Sequence, residues 1–188
     1  ELEIGGRNLI LETGKVAKFA DAAVWVQYGE SVILATVVSS RKRDEGRDFL
    51  PLMVDYRERM YAAGRIPGAR LRREGPPSEK ETLSARQVDH AIRPLFPKDY
   101  LYETQVMVMV LSTDMENDSD ILGLIGASAA LHISDVPYKG PLSATRVGRN
   151  ENGLIINPTY TDLEESDLDL VVSGSTSAIL MIEGFARE

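Results

Sequence analysis

Cysteine is absent from the 188 residues of this sequence, which excludes a disulfide framework and a thiolate metal site. No apolar run approaches the ~20 residues that a membrane-spanning helix needs, and no signal peptide opens the chain. The Gly-x4-Gly-Lys-Ser/Thr motif of P-loop nucleotidases is also missing. These absences lead us to expect no membrane partner and an intracellular location, either the cytoplasm or, in a eukaryote, an organelle.

Histidine is scarce as well, because only His90 and His132 occur and they lie far apart in the sequence. Without a cysteine or a nearby histidine, a nucleophilic triad is hard to assemble. What the chain does contain is ordinary for a globular protein, since 43% of its residues are apolar and 27% are charged. A chain of this length buries roughly 70% of its unfolded surface, so we expect a single domain over residues 1–188.

Positive charge is outnumbered, since 21 Lys and Arg stand against 29 Asp and Glu and give a formal net charge of −8. The charges are unevenly distributed along the chain. Residues 41–73 hold ten basic and five acidic residues, whereas residues 151–188 hold one basic and eight acidic residues. Because screening in ~0.15 M salt limits charge effects to ~8 Å, a polyanion responds to the local field. The acidic composition therefore does not exclude a nucleic-acid ligand at residues 41–73.

Periodicity predicts a chain of strands interrupted by two long helices. Alternating or β-branched apolar residues predict strands at residues 8–12, 23–28, 31–39, 49–56, 103–111, 142–147, 154–156, 168–173 and 178–183. Helices are predicted from Ser78 to Arg93 and from Asp120 to Ile133, with Asp118 or Ser119 capping the second. Helices placed between runs of strands indicate an α+β fold, with a mixed β-sheet covered by helices.

A basic loop precedes the first predicted helix. It carries four arginines with no acidic residue until Glu74, at positions Arg65, Arg70, Arg72 and Arg73. Frequent glycine and proline exclude a packed helix or a central strand over this loop. Arginine holds phosphate through a planar fork and is always charged. The loop therefore suits a phosphate-bearing ligand, although a merely solvated loop is the alternative.

The helix that follows has two different faces. It opens with the spacing of a capping box, from Ser78 to Glu81. Positions i, i+4 and i+7 share one face of a helix, so Arg86, His90 and Arg93 form a basic face. A separate apolar face, which we expect to be buried, is formed by Ala85, Val88 and Ile92.

Short motifs around this helix carry a resemblance to a known family. They are Ala-Ala-Gly-Arg-Ile-Pro-Gly at 62–68, Arg-Arg-Glu-Gly at 72–75, Pro-Ser-Glu-Lys-Glu at 77–81 and Ile-Arg-Pro-Leu-Phe-Pro at 92–97. Motifs at 49–57 and 125–131 agree with them in the same order. The sequence resembles the first of the two RNase PH-like halves of the polynucleotide phosphorylase family, over almost its whole length. The resemblance implies an RNase PH-like domain, of the type also called ribosomal protein S5 domain 2-like.

The resemblance also implies an activity for a longer parent protein. Such a parent would degrade single-stranded RNA from its 3′ end with inorganic phosphate, release nucleoside diphosphates, use Mg²⁺ and assemble as a homotrimeric ring. In that family the second half is catalytic and carries an Asp-x5-Asp-x-Lys pattern suited to holding a metal. By position the pattern falls here on Leu163, Asp169 and Val171. With one of three positions retained, we expect no catalytic and no metal-binding residue in this chain.

The positions that contact RNA in that family are matched more fully in this sequence than the catalytic positions are. Arg72 and Arg73 match paired arginines of the loop at the ring aperture, while Arg86 and Arg93 match arginines of the following helix. Our predicted RNA-binding residues are Arg70, Arg72, Arg73, Arg86, His90 and Arg93. Three departures from the family pattern weaken base stacking or phosphate binding: Arg70-Leu71 replaces two aromatics, Pro76 replaces an arginine, and His90 replaces another. An arginine plane can stack on a base as a partial substitute.

Two alternatives remain open. The chain could be a stand-alone, non-catalytic RNA-binding ring subunit like that of an archaeal exosome. Whether the natural gene continues past Glu188 into a second, catalytic copy would distinguish the two readings. At the level of single residues, His90 could fill space beside Ala91 without meeting any ligand.

Overall fold

The computed structural model describes residues 1–43, 46–68 and 75–187. Six of its strands form a first sheet in the order β1-β2-β3-β4-β6-β5. They are β1 (Leu2–Ile4), β2 (Arg7–Thr13), β3 (Ala22–Tyr28), β4 (Ser31–Arg43), β5 (Leu52–Glu58) and β6 (Tyr102–Ser112). The pair β5–β6 is parallel and the other pairs are antiparallel. The sheet is therefore mixed, as the sequence predicted.

A second, antiparallel sheet has the strand order β10-β9-β7-β8. Its strands are β7 (Ser143–Asn150), β8 (Gly153–Ile156), β9 (Leu168–Gly174) and β10 (Ile179–Ala186). The predicted strands from residue 142 onward were correct, but the sequence pattern did not show that they leave the first sheet. Periodicity reports which residues alternate, and it contains no information about which strands pair.

Two long helices lie between the sheets. They are α1 (Glu79–Ile92), in the crossover that joins the parallel strands β5 and β6, and α2 (Ser119–Ile133). Helix α2 contacts β3, β4 and β6 of the first sheet and β7 of the second, and α1 contacts β5 and β10. Both predicted helices are confirmed, and the core forms where their apolar faces meet the first sheet. The short helix α3 (Tyr160–Glu165) was not predicted.

Close packing of α2 on the first sheet depends on a glycine. A Cβ atom built on Gly126 would lie 2.7 Å from Ile33 Cδ1 and 3.1 Å from Ala35 Cβ, closer than packed carbons tolerate. The helix axis can approach β4 this closely because the side chain is a hydrogen atom. None of the helices in the described ranges is both long and apolar enough to cross a membrane.

Strand ends differ from the prediction where local chemistry intervenes. Strand β4 continues to Arg43, four residues beyond the predicted end at residue 39. The strand predicted from Phe49 begins only at Leu52. Pro51 lacks an N–H donor, and the amide of Leu52 instead donates to Leu50 O at 2.9 Å in a turn.

Candidate nucleic-acid interface

The start of α1 is fixed by the predicted capping box. The Glu81 amide donates to Ser78 Oγ at 3.1 Å, and the Ser78 amide donates to Glu81 Oε2 at 2.6 Å. Glu81 Oε1 also accepts a bond of 2.8 Å from the amide of Glu58, at the end of β5. Burial alone would raise the pKa of Glu81, but these amide hydrogen bonds lower it below its usual range. One carboxylate therefore orients the basic helix relative to the sheet.

The outer face of α1 lines an open cleft of about 660 Å³. The structure brings the three predicted helix residues together there, with Arg86 and His90 exposed and Arg93 half-buried. Apolar side chains of Met53 and Leu83 line the same cleft. Within the described part of the chain, Arg86 lines the cleft and makes no ion pair or side-chain hydrogen bond.

Arg93 differs from Arg86 because its guanidinium already has partners. Arg93 Nε and Nη2 donate to the two carboxylate oxygens of Asp89 at 2.9 Å and 2.6 Å. Arg93 Nη1 and Nη2 also donate to the carbonyl oxygens of Leu50 and Leu52. Arg93 thus fastens the end of α1 to the strand β5. Its predicted contact with RNA stays a prediction, and it would have to share this guanidinium.

The basic loop is described only at its two ends. Arg70, Arg72 and Arg73 fall within residues 69–74, outside the described ranges, so their predicted RNA contacts stay predictions. Arg65 is described and exposed, and its amide donates to Met60 O at 2.9 Å. Gly64 ends the preceding 3₁₀ turn, Met60–Ala63, with φ 66°, a left-handed conformation that glycine adopts readily.

A cluster of charged residues that was not predicted lies between the helices and the second sheet. Arg146 on β7 donates from Nε and Nη2 to both carboxylate oxygens of Asp169, each at 2.7 Å. Its Nη1 donates to Asp118 Oδ2 at 2.7 Å. The second oxygen of Asp118 lies 3.1 Å from Lys80 Nζ, which is also 3.1 Å from Glu58 Oε1. We call these five residues the interlayer network.

Burial and the charges of the network shift the pKa of Asp118 and of Asp120, a carboxyl beside the network. Burial would raise the pKa of Asp118, but Lys80 and Arg146 lower it below the usual range. Asp118 was predicted to cap α2; it occupies the N-cap position, yet its carboxylate makes no capping bond because those two cations bind it. Burial, and then the neighbouring Asp118, raise the pKa of Asp120 to about 7.

The three positions expected for a catalytic pattern do not form a metal site. Leu163 lies in α3, while Asp169 and Val171 lie on β9. Asp169 is the one carboxylate among them, and both of its oxygens accept from Arg146. A divalent cation needs several oxygen ligands that are not already neutralised, so these residues do not fit Mg²⁺.

Sequence reasoning missed Lys80 and Arg146 as structural cations. Lys80 looked like one of several charges in the first turn of α1. The sequence did carry a signal for Arg146, because it lies two residues from both Ala144 and Gly148 and therefore on the same face of β7. Both of those positions are buried. An arginine on the inward face of a strand calls for a buried carboxylate partner.

Comparison with known proteins identifies the family. Residues 5–137 match the family described as "3′ exoribonuclease family, domain 1", and residues 140–187 match "3′ exoribonuclease family, domain 2". The boundary between the two matches falls between α2 and β7, where the chain passes from the first sheet to the second.

Two similar proteins carry the same name. A polyribonucleotide nucleotidyltransferase of Anaeromyxobacter sp. (strain K) is 54% identical over 98% of this chain, and that of Bradyrhizobium sp. (strain ORS 278) is 56% identical over 100%. The chain spans about a quarter of the length of these relatives, 26% of each. Rice (Oryza sativa) Rrp46 has the same fold, with a TM-score of 0.76 at 12% identity over 97% of this chain and 82% of Rrp46. The α+β, RNase PH-like fold is thus confirmed, and the chain belongs to the 3′ exoribonuclease (RNase PH) family.

Proposed function

We propose that this chain is the non-catalytic first RNase PH-like domain of a polynucleotide phosphorylase. The observation that carries the proposal is the 54–56% identity to polyribonucleotide nucleotidyltransferases, which are about four times as long as this chain. The parent enzyme would shorten single-stranded RNA from its 3′ end with inorganic phosphate and release nucleoside diphosphates. We place it in the cytoplasm, or in an organelle of a eukaryote.

In the parent enzyme, the role of this domain is to bind RNA rather than to catalyse its cleavage. The cleft on α1 offers Arg86 and His90 to a phosphate backbone, next to a loop rich in arginine. Contacts to phosphate position a strand without reading its sequence. Single-stranded RNA therefore fits this surface as a ligand, whatever its bases.

Catalysis and the metal belong elsewhere in the parent. Leu163 and Val171 offer no oxygen ligand, and Asp169 is neutralised by Arg146. Mg²⁺ would therefore be held by another part of the parent. The ring-shaped homotrimer remains a proposal, supported by the family and by the fold shared with Rrp46.

A phosphorolysis assay tests the proposal. The 188-residue chain and the product of the complete gene are each incubated with oligo(A), phosphate and Mg²⁺, and the release of ADP is followed. We expect ADP release at enzymatic rates, ~1 s⁻¹ or more, from the complete product and none from the chain. Release from the chain alone at such a rate would contradict a non-catalytic role.

The alternative is a stand-alone RNA-binding ring subunit, and the shared fold of Rrp46 keeps it in view. The same gene product distinguishes the two. If the complete product shows no second RNase PH-like half and no ADP release, while RNA binding persists, the stand-alone subunit is the correct function.

A further inference from the structure

A second cavity shares no lining residue with the α1 cleft, and no predicted site residue lines it. It measures about 390 Å³, within the range of roughly 300–1,000 Å³ that small-molecule sites occupy. Its walls come from the 3₁₀ turn at Met60–Ala63, the first turn of α1, the loop after β6 and the start of α3. The cavity therefore joins four separate parts of the fold.

The lining combines apolar side chains with a few cations. Met60 and Met115 are 46% and 59% exposed, and Tyr160 adds an aromatic ring that is 37% exposed. Methionine side chains adapt to the shape of whatever they contact. Arg65 supplies positive charge at the same cavity, whereas the charge of Lys80 there is matched by Glu58, which also lines the cavity. Mostly apolar walls with a few convergent polar groups are typical of ligand sites.

Tyr160 is held in place rather than left on a loose loop. Its amide donates to Glu116 O at 3.0 Å, and the preceding Thr159 forms a capping box with Asp162. The Tyr160 hydroxyl accepts a bond of 3.3 Å from Lys80 Nζ, which lies 5.8 Å from the ring centroid. Lys80 is itself paired with Glu58 and Asp118, so it fixes the hydroxyl end of the ring.

Arg65 connects this cavity to the basic loop. It is the first of the four loop arginines, and within the described part of the chain its guanidinium has no ion pair. The turn before it is anchored, because the Thr113 amide donates to Ala62 O at 3.0 Å. Arg65 thus offers an exposed guanidinium to a phosphate at this cavity.

We propose that this cavity binds one nucleotide of a single-stranded RNA, with its base against Tyr160 and the two methionines and its phosphate on Arg65. The inference rests on the proposed function and adds a base-stacking position to it. Proteins that bind single strands without sequence preference combine a cationic track with aromatic platforms. Tyr160 supplies such a platform at a cavity that Arg65 also lines.

Photocrosslinking locates the base. An oligonucleotide containing 5-iodouridine is bound to the chain, irradiated, and the crosslinked peptides are identified by mass spectrometry, while filter binding measures affinity separately. We expect crosslinks at Tyr160, Met60 or Met115. Crosslinks confined to other peptides, with the oligonucleotide still bound, overturn the pocket and leave the proposed function intact. No binding by the wild-type protein at low salt overturns the proposed function and the pocket with it.

Matched variants test the aromatic ring of Tyr160. Tyr160→Leu should raise the Kd for oligo(U) about five- to 150-fold, the range expected for one stacked base. Tyr160→Phe keeps the ring and should stay within about twofold of wild type. Tyr61→Leu is the control, because Tyr61 is 51% exposed in the same turn but does not line the cavity. Unchanged urea midpoints establish folding, and equal losses for Tyr160→Leu and Tyr160→Phe, or none for either, overturn stacking on this ring.

Discussion

Helix α1 has charged residues on two sides, and among the residues that the structure describes only those on the inner side form ion pairs with carboxylates of other elements. On the outer side, Arg86 and His90 face an open cleft. On the inner side, Lys80 lies in the interlayer network, where its charge and that of Arg146 are matched by carboxylates at 2.7–3.1 Å. Arginine occurs on both sides, so residue type alone did not separate cations that face the cleft from structural ones. What separates them is whether the fold brings a carboxylate to them.

The first way to sharpen this comparison is to remove the central cation of the network. Arg146→Met leaves Asp118, Asp120 and Asp169 with one positive charge fewer among them. Breaking a buried ion pair by removing one partner costs about 3–5 kcal/mol in the free energy of unfolding. Urea denaturation measures this loss. Arg149→Met is the matched control on the same strand, since its pair with Asp167 is about half exposed, and its urea midpoint should stay near wild type.

A second test uses the excess of negative charge in the network. The pKa of Asp120 is about 7 in the folded protein and near 3.9 when unfolded, so the folded state holds the proton more tightly. The contribution of Asp120 to stability is therefore largest below pH 4, and it is lost as the pH rises to about 7. In the wild-type protein, ionisation of Asp120 should lower the free energy of unfolding by about 2–3 kcal/mol between pH 5 and pH 8. Asp120→Asn should remove this decrease.

Urea midpoints at four pH values between 5 and 8 measure this difference. Asp135→Asn serves as the control, because Asp135 is exposed, and it should keep the wild-type pH dependence. Wild-type and Asp120→Asn curves that run parallel would show that the network does not oppose ionisation of Asp120.

The third test compares the two arginines of the outer face. Arg86→Ala should weaken binding of oligo(A) by about 1.5–3 kcal/mol, the range for a hydrogen bond to a charged group. It should also reduce the slope of log affinity against log salt by about 0.7. Arg93→Ala should instead lower the urea midpoint, because it releases the end of α1 from β5. Equal effects of the two substitutions on RNA affinity would mean that internal pairing does not decide which cation binds.

The smallest effect concerns His90, where the chain departs from its family. Arginine is always charged and presents five N–H donors, whereas an imidazole has at most two. His90→Arg should therefore tighten RNA binding by about 1 kcal/mol. Filter binding of the two proteins in fixed salt measures the difference. Identical affinities would indicate that His90 fills space beside Ala91.

Sequence patterns predicted what short-range geometry determines. The capping box of α1 and the face shared by Arg86, His90 and Arg93 follow from spacings of three, four and seven residues. The mixed sheet covered by helices followed from the order of helices and strands. The pairing of Asp89 with Arg93 was also predictable, since it joins positions i and i+4 of a helix. It was not predicted, because Arg93 was interpreted as part of the basic face.

Long-range pairing was out of reach of the same reasoning. Arg146 meets Asp169 and Asp118 across 23 and 28 residues, through strand pairing that periodicity does not specify. The cavity beside Tyr160 was missed for the same reason, because its walls come from four distant segments. The short helix α3 did carry a local signal, the capping box from Thr159 to Asp162. Its six residues were too few for an apolar period to be visible.

The carboxylate of Glu81 has a further consequence. Its two oxygens accept from the amide of Glu58, the last residue of β5, and from the amide of Ser78, the N-cap residue of α1. One side chain therefore joins the two ends of the segment 59–77, which contains the basic loop. Once the ends of a segment are fixed, lengthening it costs only about 0.6 kcal/mol per doubling. We therefore expect insertions and substitutions between these ends to leave the register of the sheets and of α1 unchanged.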